Sequence, residues 1–323
     1  MGVHICNRFL KLHNGYLLPS VGLGTYQLLG ESVCEVVDKA ISLGYRHIDT
    51  AHSYNNESEI GDVLKSRIES GSITRTDLFL TTKVPDILHE PSDVLEGVEE
   101  SRAKLKTKYL DLVLIHHPWT MRKNGQRDLK PMDSKGELQF VKFNLQKTWR
   151  SLENCVKDGT VRSIGLSNFT IGQIQNILDG CTIMPANLQL ECHAYLQQKS
   201  LHEFCKARDI TLTAYSPLGA PGRPEHHRFT DQPVLLDDPI VDSISQAHRK
   251  TKAQILLGWL VQKGFCVVPK TKSEKRLTEN LEIFNTNLSN SELVKLQALD
   301  RGIRYFKFKY MTGHPEFKPA EDF

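Results

Sequence analysis

No apolar run in these 323 residues is long enough to span a bilayer, so a helical membrane protein is excluded and no membrane partner is expected. The chain opens without a signal peptide, and Met1-Gly2-Val3-His4-Ile5-Cys6 puts cysteine where a myristoylation signal wants serine or threonine. Cysteine is sparse and disordered in its spacing: seven residues, an odd number, with no Cys-x-x-Cys. Reduced thiols in the cytoplasm are the expectation. A charge excess is missing too. With 41 basic and 38 acidic residues the net charge is +3, too small to draw a nucleic acid. No low-complexity tract divides the chain, so one domain over residues 1–323 is expected. A metal site is not expected: no early strand ends on His-x-His, and His226-His227 has no carboxylate or cysteine at useful spacing.

What is present is a rhythm. Phe9-Leu10-Lys11-Leu12, a turn at His13-Asn14-Gly15, and Tyr16-Leu17-Leu18-Pro19 read as a β-hairpin, because Asn-Gly accepts the positive φ of a tight turn. Residues 21–25 form a short strand, and 31–43 show helix-spaced apolar residues ending at Gly44, a natural C-cap. Further strands are expected near 45–49, 78–84, 110–116, 161–167, 187–192, 211–215 and 265–269. Amphipathic segments such as 58–69, 92–106, 145–157, 199–208 and 252–263 separate them. An open doubly wound sheet would want Gly-x-Gly-x-x-Gly opening its first helix, and Gly22-Leu23-Gly24-Thr25-Tyr26-Gln27 lacks the third glycine. Eight strands alternating with helices therefore predict an α/β (β/α)8 TIM barrel with an N-terminal β-hairpin. Its long loops, about 117–138 and 217–237, lie at the C-terminal face, where such barrels build their sites.

Four strand ends carry chemistry. Asp49 ends one and Tyr54 follows in its loop; Lys83 ends the next and His116 the one after; Ser167-Asn168-Phe169 ends a fourth. Alone, the aspartate caps, the tyrosine packs and the histidine is a core residue satisfied by backbone. In series at strand ends they point to an active site. Gly44 through Gly61, Ile164 through Phe169, Tyr215-Ser216-Pro217-Leu218-Gly219 and Val268 through Asn280 together resemble the successive signatures of the aldo-keto reductases. Hairpin and loop lengths resemble most the branch of aldose and aldehyde reductases.

The resemblance implies an NADPH-dependent oxidoreductase that reduces an aldehyde or ketone to an alcohol, monomeric, with a small-molecule carbonyl substrate. It implies a catalytic tetrad of Asp49, Tyr54, Lys83 and His116. Tyr54 would give a proton to the developing alkoxide, Lys83 would lower its pKa, Asp49 would hold Lys83, and His116 would orient the substrate oxygen. By similarity Ser167, Asn168 and Gln189 would bond the nicotinamide carboxamide and Tyr215 would stack on its ring. Gly24, Thr25, Tyr26, Asp49, Ser216 and Leu218 would complete the NADP+ cleft. Lys270, Thr271, Lys272 and Arg276 would hold the 2′-phosphate, with Glu279 and Asn280 at the adenine. At the substrate end Tyr26, Tyr54, Pro85, His116 and His117 are expected to line the pocket. Tyr26, Pro85 and His117 stand where that branch usually has tryptophans, and Trp119 stands close enough to replace part of that wall. A reductase-like barrel kept as a channel subunit or crystallin-like protein is the alternative. Loss of the tetrad would favour it, and all four residues are present.

Overall fold

A computed structural model of the protein describes residues 8–125, 128–228 and 232–317; the Met1–Cys6 start and the tail beyond 317 lie outside them. The hairpin comprises β1 (Phe9–Lys11) and β2 (Leu17–Pro19), paired Phe9 to Pro19 and Lys11 to Leu17. Its loop turns at His13-Asn14-Gly15, where the sequence places it. Residues 12–16 form it, only Gly15 takes a positive φ (92°), and Leu12 donates to the Tyr16 carbonyl. Leu12 and Leu18 turn inward. Both are fully buried with Phe79, Leu112, Leu114, Ala186, Cys266 and Val268, so the hairpin caps a second small core.

The eight strands that follow are all parallel to their neighbours: β3 (Leu23–Gly24), β4 (His47–Asp49), β5 (Phe79–Val84), β6 (Leu110–Ile115), β7 (Val161–Ser167), β8 (Asn187–Glu191), β9 (Thr211–Tyr215) and β10 (Phe265–Val267). They pair in chain order, and the last returns to the first through a parallel bridge from Val21 to Val267. Gly22 N–H donates to the Val267 carbonyl at 2.9 Å, Val267 N–H to that of Ser20 at 2.8 Å, and Gly24 N–H to that of Pro269 at 3.1 Å, so the barrel is closed. Closure removes both sheet edges.

Helices cover the outside. α1 (Glu31–Leu43), α2 (Glu57–Glu69), α3 (Pro91–Lys104), α4 (Leu145–Lys157), α5 (Ile171–Leu178) and α6 (Lys199–Lys206) each follow a strand. α7 (Pro239–His248), α8 (Lys252–Gln262), α9 (Glu274–Leu281) and α10 (Asn290–Gln297) complete the chain order. Their starts follow local chemistry: Thr170, Thr251 and Ser289 each form a capping box with Gln173, Gln254 and Glu292. No helix is long and apolar enough to cross a membrane among the described residues. The six described cysteines are free thiols.

The long loops do follow β6 and β9, though the first runs on to Asn144 before α4 begins. The tail is brought back across the same face by a buried acid. Glu191, at the end of β8, accepts hydrogen bonds from Tyr305 N–H (2.7 Å) and Phe306 N–H (3.0 Å) and pairs with His193 Nε2 (3.0 Å). His193 is thus sealed in a structural network. Beyond it Trp119, Met311 and Phe317 form a third cluster with Phe140 and Phe308, joining the tail to the first long loop.

The closing seam is tight where β3 meets the end of β10. A Cβ added at Gly24 would stand 2.5 Å from the Val268 carbonyl oxygen, a backbone atom that cannot rotate away. Gly24→Ala should therefore destabilise the barrel by about 1–3 kcal/mol through overpacking, seen as a lower midpoint of urea unfolding.

Candidate active site

The site is organised by charge buried at the strand ends. Lys83, near the end of β5, and Asp49, the last residue of β4, lie on adjacent strands, and parallel pairing of Asp49 with Thr81 sets the Lys83 side chain across from it. Its ammonium donates to Asp49 Oδ1 at 2.7 Å and to the Thr50 carbonyl at 2.8 Å. Both side chains are almost wholly buried. Burial lowers the Lys83 pKa below its ordinary value, against the opposing pull of Asp49. Asp49 Oδ2 accepts from Gln189 Nε2 at 2.7 Å, so each carboxylate oxygen has a donor.

Tyr54 is carried on a short 3-10 turn, His52–Tyr54, just past β4. Asn56 holds that turn: its Oδ1 accepts from Thr50 Oγ1 (2.7 Å), and its Nδ2 donates to the Thr25 and Leu28 carbonyls (3.0 and 2.9 Å). The loop bearing Tyr26 is fixed by the same bonds, and the Tyr26 and Tyr54 rings stand 5.1 Å apart. Lys83 Nζ lies 3.5 Å from the Tyr54 hydroxyl and 5.0 Å from its ring centre. The His116 ring meets Tyr54 edge-on at 5.8 Å. All four residues of the expected tetrad thus converge.

The acid-base balance differs from the sequence expectation in one respect. Lys83 was expected to lower the Tyr54 pKa, yet in this site the phenol is held well above the ordinary value, first by burial and then by the charge of Asp49. Lys83 stands 3.5 Å from that hydroxyl and is itself paired with Asp49. His116 is pushed the other way. Burial, then His117 and Lys83, hold its pKa well below 6.5, so at neutral pH the ring is uncharged. Its Nδ1 lies 3.3 Å from Ser53 Oγ. If the serine donates there, the ring proton sits on Nε2 and His116 is a hydrogen-bond donor to the site.

The expected carboxamide partners are grouped but already bonded. Asn168, with φ of 63°, donates to the His116 carbonyl (3.0 Å) and Ser167 Oγ (3.1 Å) and accepts from the Tyr215 hydroxyl (2.7 Å). Tyr215 ends β9 half-buried, with Phe306 edge-on at 5.9 Å. Ser216, Gly219 and Ala220 take positive φ, which turns the following loop sharply away from the strand; Leu218 packs on the main core. After β10, Thr271 Oγ1 accepts from Ser273 N–H (3.1 Å), and Ser273 caps α9. Lys270, Lys272 and Arg276 gather around that helix start. No carboxylate among the described residues lies within ion-pair distance of them, while Glu274 and Glu279 pair with Lys39 and Lys275. Lys270's pKa is lowered, by desolvation first and then by Lys272. Unmatched cations at a helix N-terminus suit a phosphate. Asn280 is buried on the inner side of α9, beside Tyr45.

At the substrate end Pro85 begins a turn closed by Leu88 N–H to its carbonyl (2.9 Å). Trp119 is fully buried and stacked on His117 at 4.5 Å. Phe308 stands edge-on to His117 at 5.1 Å, and Tyr310 packs against Phe308 at 6.2 Å. Ser53, Asp86, Glu191 and Phe308 were not singled out from sequence. Ser53 lies within the Gly44–Gly61 signature, Glu191 two residues beyond Gln189 and Asp86 three beyond Lys83.

With this geometry in hand the comparisons are decisive. The Aldo/keto reductase family model matches residues 20–301. The chain belongs to the aldo-keto reductase family. It is 37% identical over 319 residues to "Prostaglandin F synthase 1" of Bos taurus, covering 97% of this chain and 98% of that protein. It is 39% identical over 295 residues to "Aldo-keto reductase family 1 member A1" of Rattus norvegicus, covering 91% and 90%. Among solved structures, the aldose reductase from Schistosoma japonicum superposes with a TM-score of 0.90 at 40% identity, over 98% of this chain and 100% of that one. As an aldo-keto reductase the protein is an NADP-dependent oxidoreductase acting on carbonyl groups.

The Lys83–Asp49 pair generates a stability prediction. Asp49→Asn removes one charge and leaves the buried ammonium uncompensated, which should cost about 3–5 kcal/mol in urea unfolding. Adding Lys83→Met should recover part of that loss.

Proposed function

We propose that this chain, as one barrel domain over residues 1–323, reduces an aldehyde or ketone to an alcohol, with Tyr54 as proton donor and NADPH preferred over NADH. The free thiols and modest charge fit a monomer at work in the cytosol. The observation that carries the reading is that the Tyr54 hydroxyl lies 3.5 Å from the clamped Lys83 ammonium while the neutral His116 ring stands edge-on to the Tyr54 ring at 5.8 Å.

When bound, the nicotinamide supplies the hydride. Tyr215, Ser167, Asn168 and Gln189 would orient it, the last three by exchanging bonds they now make within the protein. The chain's own residues manage the negative charge that appears on the carbonyl oxygen. His116 Nε2 would hold that oxygen by donating to it, and Tyr54 would pass its proton across. A raised phenol pKa does not block the step, because an alkoxide is a far stronger base than a phenolate. Lys83 contributes as the proton leaves: its ammonium stabilises the phenolate that remains, and Asp49 keeps it charged and aimed. Lys270, Thr271, Lys272 and Arg276 would take the 2′-phosphate, the feature that separates the two cofactors. Gly24, Thr25, Tyr26, Ser216 and Leu218 would line the cleft between, with Glu279 and Asn280 at the adenine. A retained non-catalytic barrel is not favoured by any feature of this site.

Two measurements test the reading. Tyr54→Phe should lower kcat for carbonyl reduction by about 10²-fold or more with cofactor affinity nearly unchanged; wild-type turnover would remove Tyr54 from the role. Arg276→Met should weaken NADPH about tenfold to a hundredfold, from a charge-assisted bond of about 1.5–3 kcal/mol, and leave NADH almost untouched. Fluorescence titration of each cofactor reads the difference, and equal losses for both would contradict the phosphate assignment.

A further inference from the structure

Glu57 is a buried carboxylate that the site described above does not use. It opens α2, where the free N–H groups of the first helical turn favour an anion. Its Oε1 accepts from Thr82 Oγ1 at 2.6 Å, and its Oε2 accepts from Ser101 Oγ, on α3, at 3.1 Å. Only 2% of the residue is exposed. One turn further on, α2 is seated tightly on α3, since a Cβ at Gly61 would overlap the Lys104 carbonyl. Two hydroxyls are weak compensation for a buried charge, and among the described residues no cation lies within ion-pair distance of Glu57.

The cation that answers it stands on the other side of one strand. Side chains alternate across β5, so Thr82 points out to Glu57 while Lys83 points into the barrel toward Asp49. One layer of backbone separates carboxylate from ammonium, and both are buried, so water screens their attraction little. Burial is the main influence on the Lys83 pKa and lowers it; Asp49 opposes this by charge and by its hydrogen bond, and the charge of Glu57 opposes it further. The other titratable groups around Lys83 are Tyr54, whose phenol burial keeps protonated, and His116 and His47, whose rings burial keeps neutral. Beside Ser101 on α3, Glu100 and Lys104 meet at His52, whose Nε2 lies 2.9 Å from Glu100 Oε2 and 3.4 Å from Lys104 Nζ.

We propose that Glu57 is a positioning residue of the reaction: an outer counter-charge, set across β5 from the Lys83 ammonium, that helps Asp49 keep this ammonium charged beside the Tyr54 hydroxyl. The inference rests on the reductase reading above and adds a residue to it. Asp49 aims the ammonium by a direct bond, whereas Glu57 bonds only to Thr82 and Ser101 and acts on Lys83 by its field. A purely structural Glu57 would do no more than clamp α2 to β5 and α3.

Glu57→Gln separates the two roles. The amide oxygen still accepts from Thr82 and the amide N–H2 can donate to Ser101 Oγ, so the clamp is kept and the charge is lost. With saturating NADPH, the alkaline fall in kcat/KM for benzaldehyde should move to lower pH in Glu57→Gln, because the ammonium sheds its proton earlier without that anion. A second measurement needs no turnover. In urea unfolding at neutral pH, the loss caused by Glu57→Gln should exceed its loss in a Lys83→Met background by about twofold or more in the unfolding constant, the lower end of coupling between interacting neighbours. Where Lys83→Met alone leaves too little folded protein, Asp49→Asn/Lys83→Met serves as the background. Equal losses in the two backgrounds overturn the proposal whatever the pH profile does, and so does an alkaline limb that Glu57→Gln leaves in place. Turnover by the wild type reports the reductase reading separately: if no aldehyde or ketone is reduced, that reading falls, and the coupling alone decides whether Glu57 acts on Lys83.

Discussion

The buried ion pair between Lys83 and Asp49 is the interaction on which the rest of the site depends. Two unlike charges at the ends of adjacent parallel strands would each be too costly to bury alone. Together, with Gln189 and the Thr50 carbonyl filling the remaining positions, they form a fixed cationic point inside the barrel mouth. Strand pairing sets the separation, and barrel closure through the Val21–Val267 seam keeps the strands from splaying. The phenol of Tyr54 then only has to be delivered to that point, and the Asn56 bonds to Thr25, Leu28 and Thr50 do so.

Burial has opposite effects on the groups around the pair. It holds the Tyr54 phenol protonated and the His116 imidazole neutral, so the two groups proposed to face a substrate oxygen are both uncharged at neutral pH. The one charge near them is the ammonium, already matched by Asp49. Such a site has little net field of its own and responds to charge as it develops on the substrate, the condition under which fixed dipoles are most effective. Asp86 plays the corresponding part for the neighbouring wall. Its anion orders His117, Trp119 and the start of the loop after β6, much as Glu191 orders the returning tail.

Much of the frame was legible in the chain. The pattern of helix-spaced apolar residues and the Gly44 cap place α1 at residues 31–43, where it lies, and the apolar runs mark every barrel strand to within two or three residues. Asp49, Tyr54, Lys83 and His116 could be picked out because each follows a strand, and a barrel gathers strand ends on one face. What could not be read were contacts made by loops. Asp86 and Glu191 act on groups 31 and 114 residues away, and no local pattern marks a carboxylate for such a partner. The high Tyr54 pKa could not be read either, since it comes first from burial and then from the charge of Asp49.

The central claim is that the proton comes from a buried phenol beside a neutral histidine, and the pH dependence of kcat/KM for carbonyl reduction tests it most directly. Tyr54, with its pKa raised well above 10, stays protonated through the neutral range, and Lys83, its pKa lowered by burial against the pull of Asp49, loses its charge as pH rises. The profile should therefore be flat from about pH 6 to 8 and fall only on the alkaline side. A rate that instead climbs steadily as pH drops through about 6 would mark an imidazolium as the donor and contradict the account.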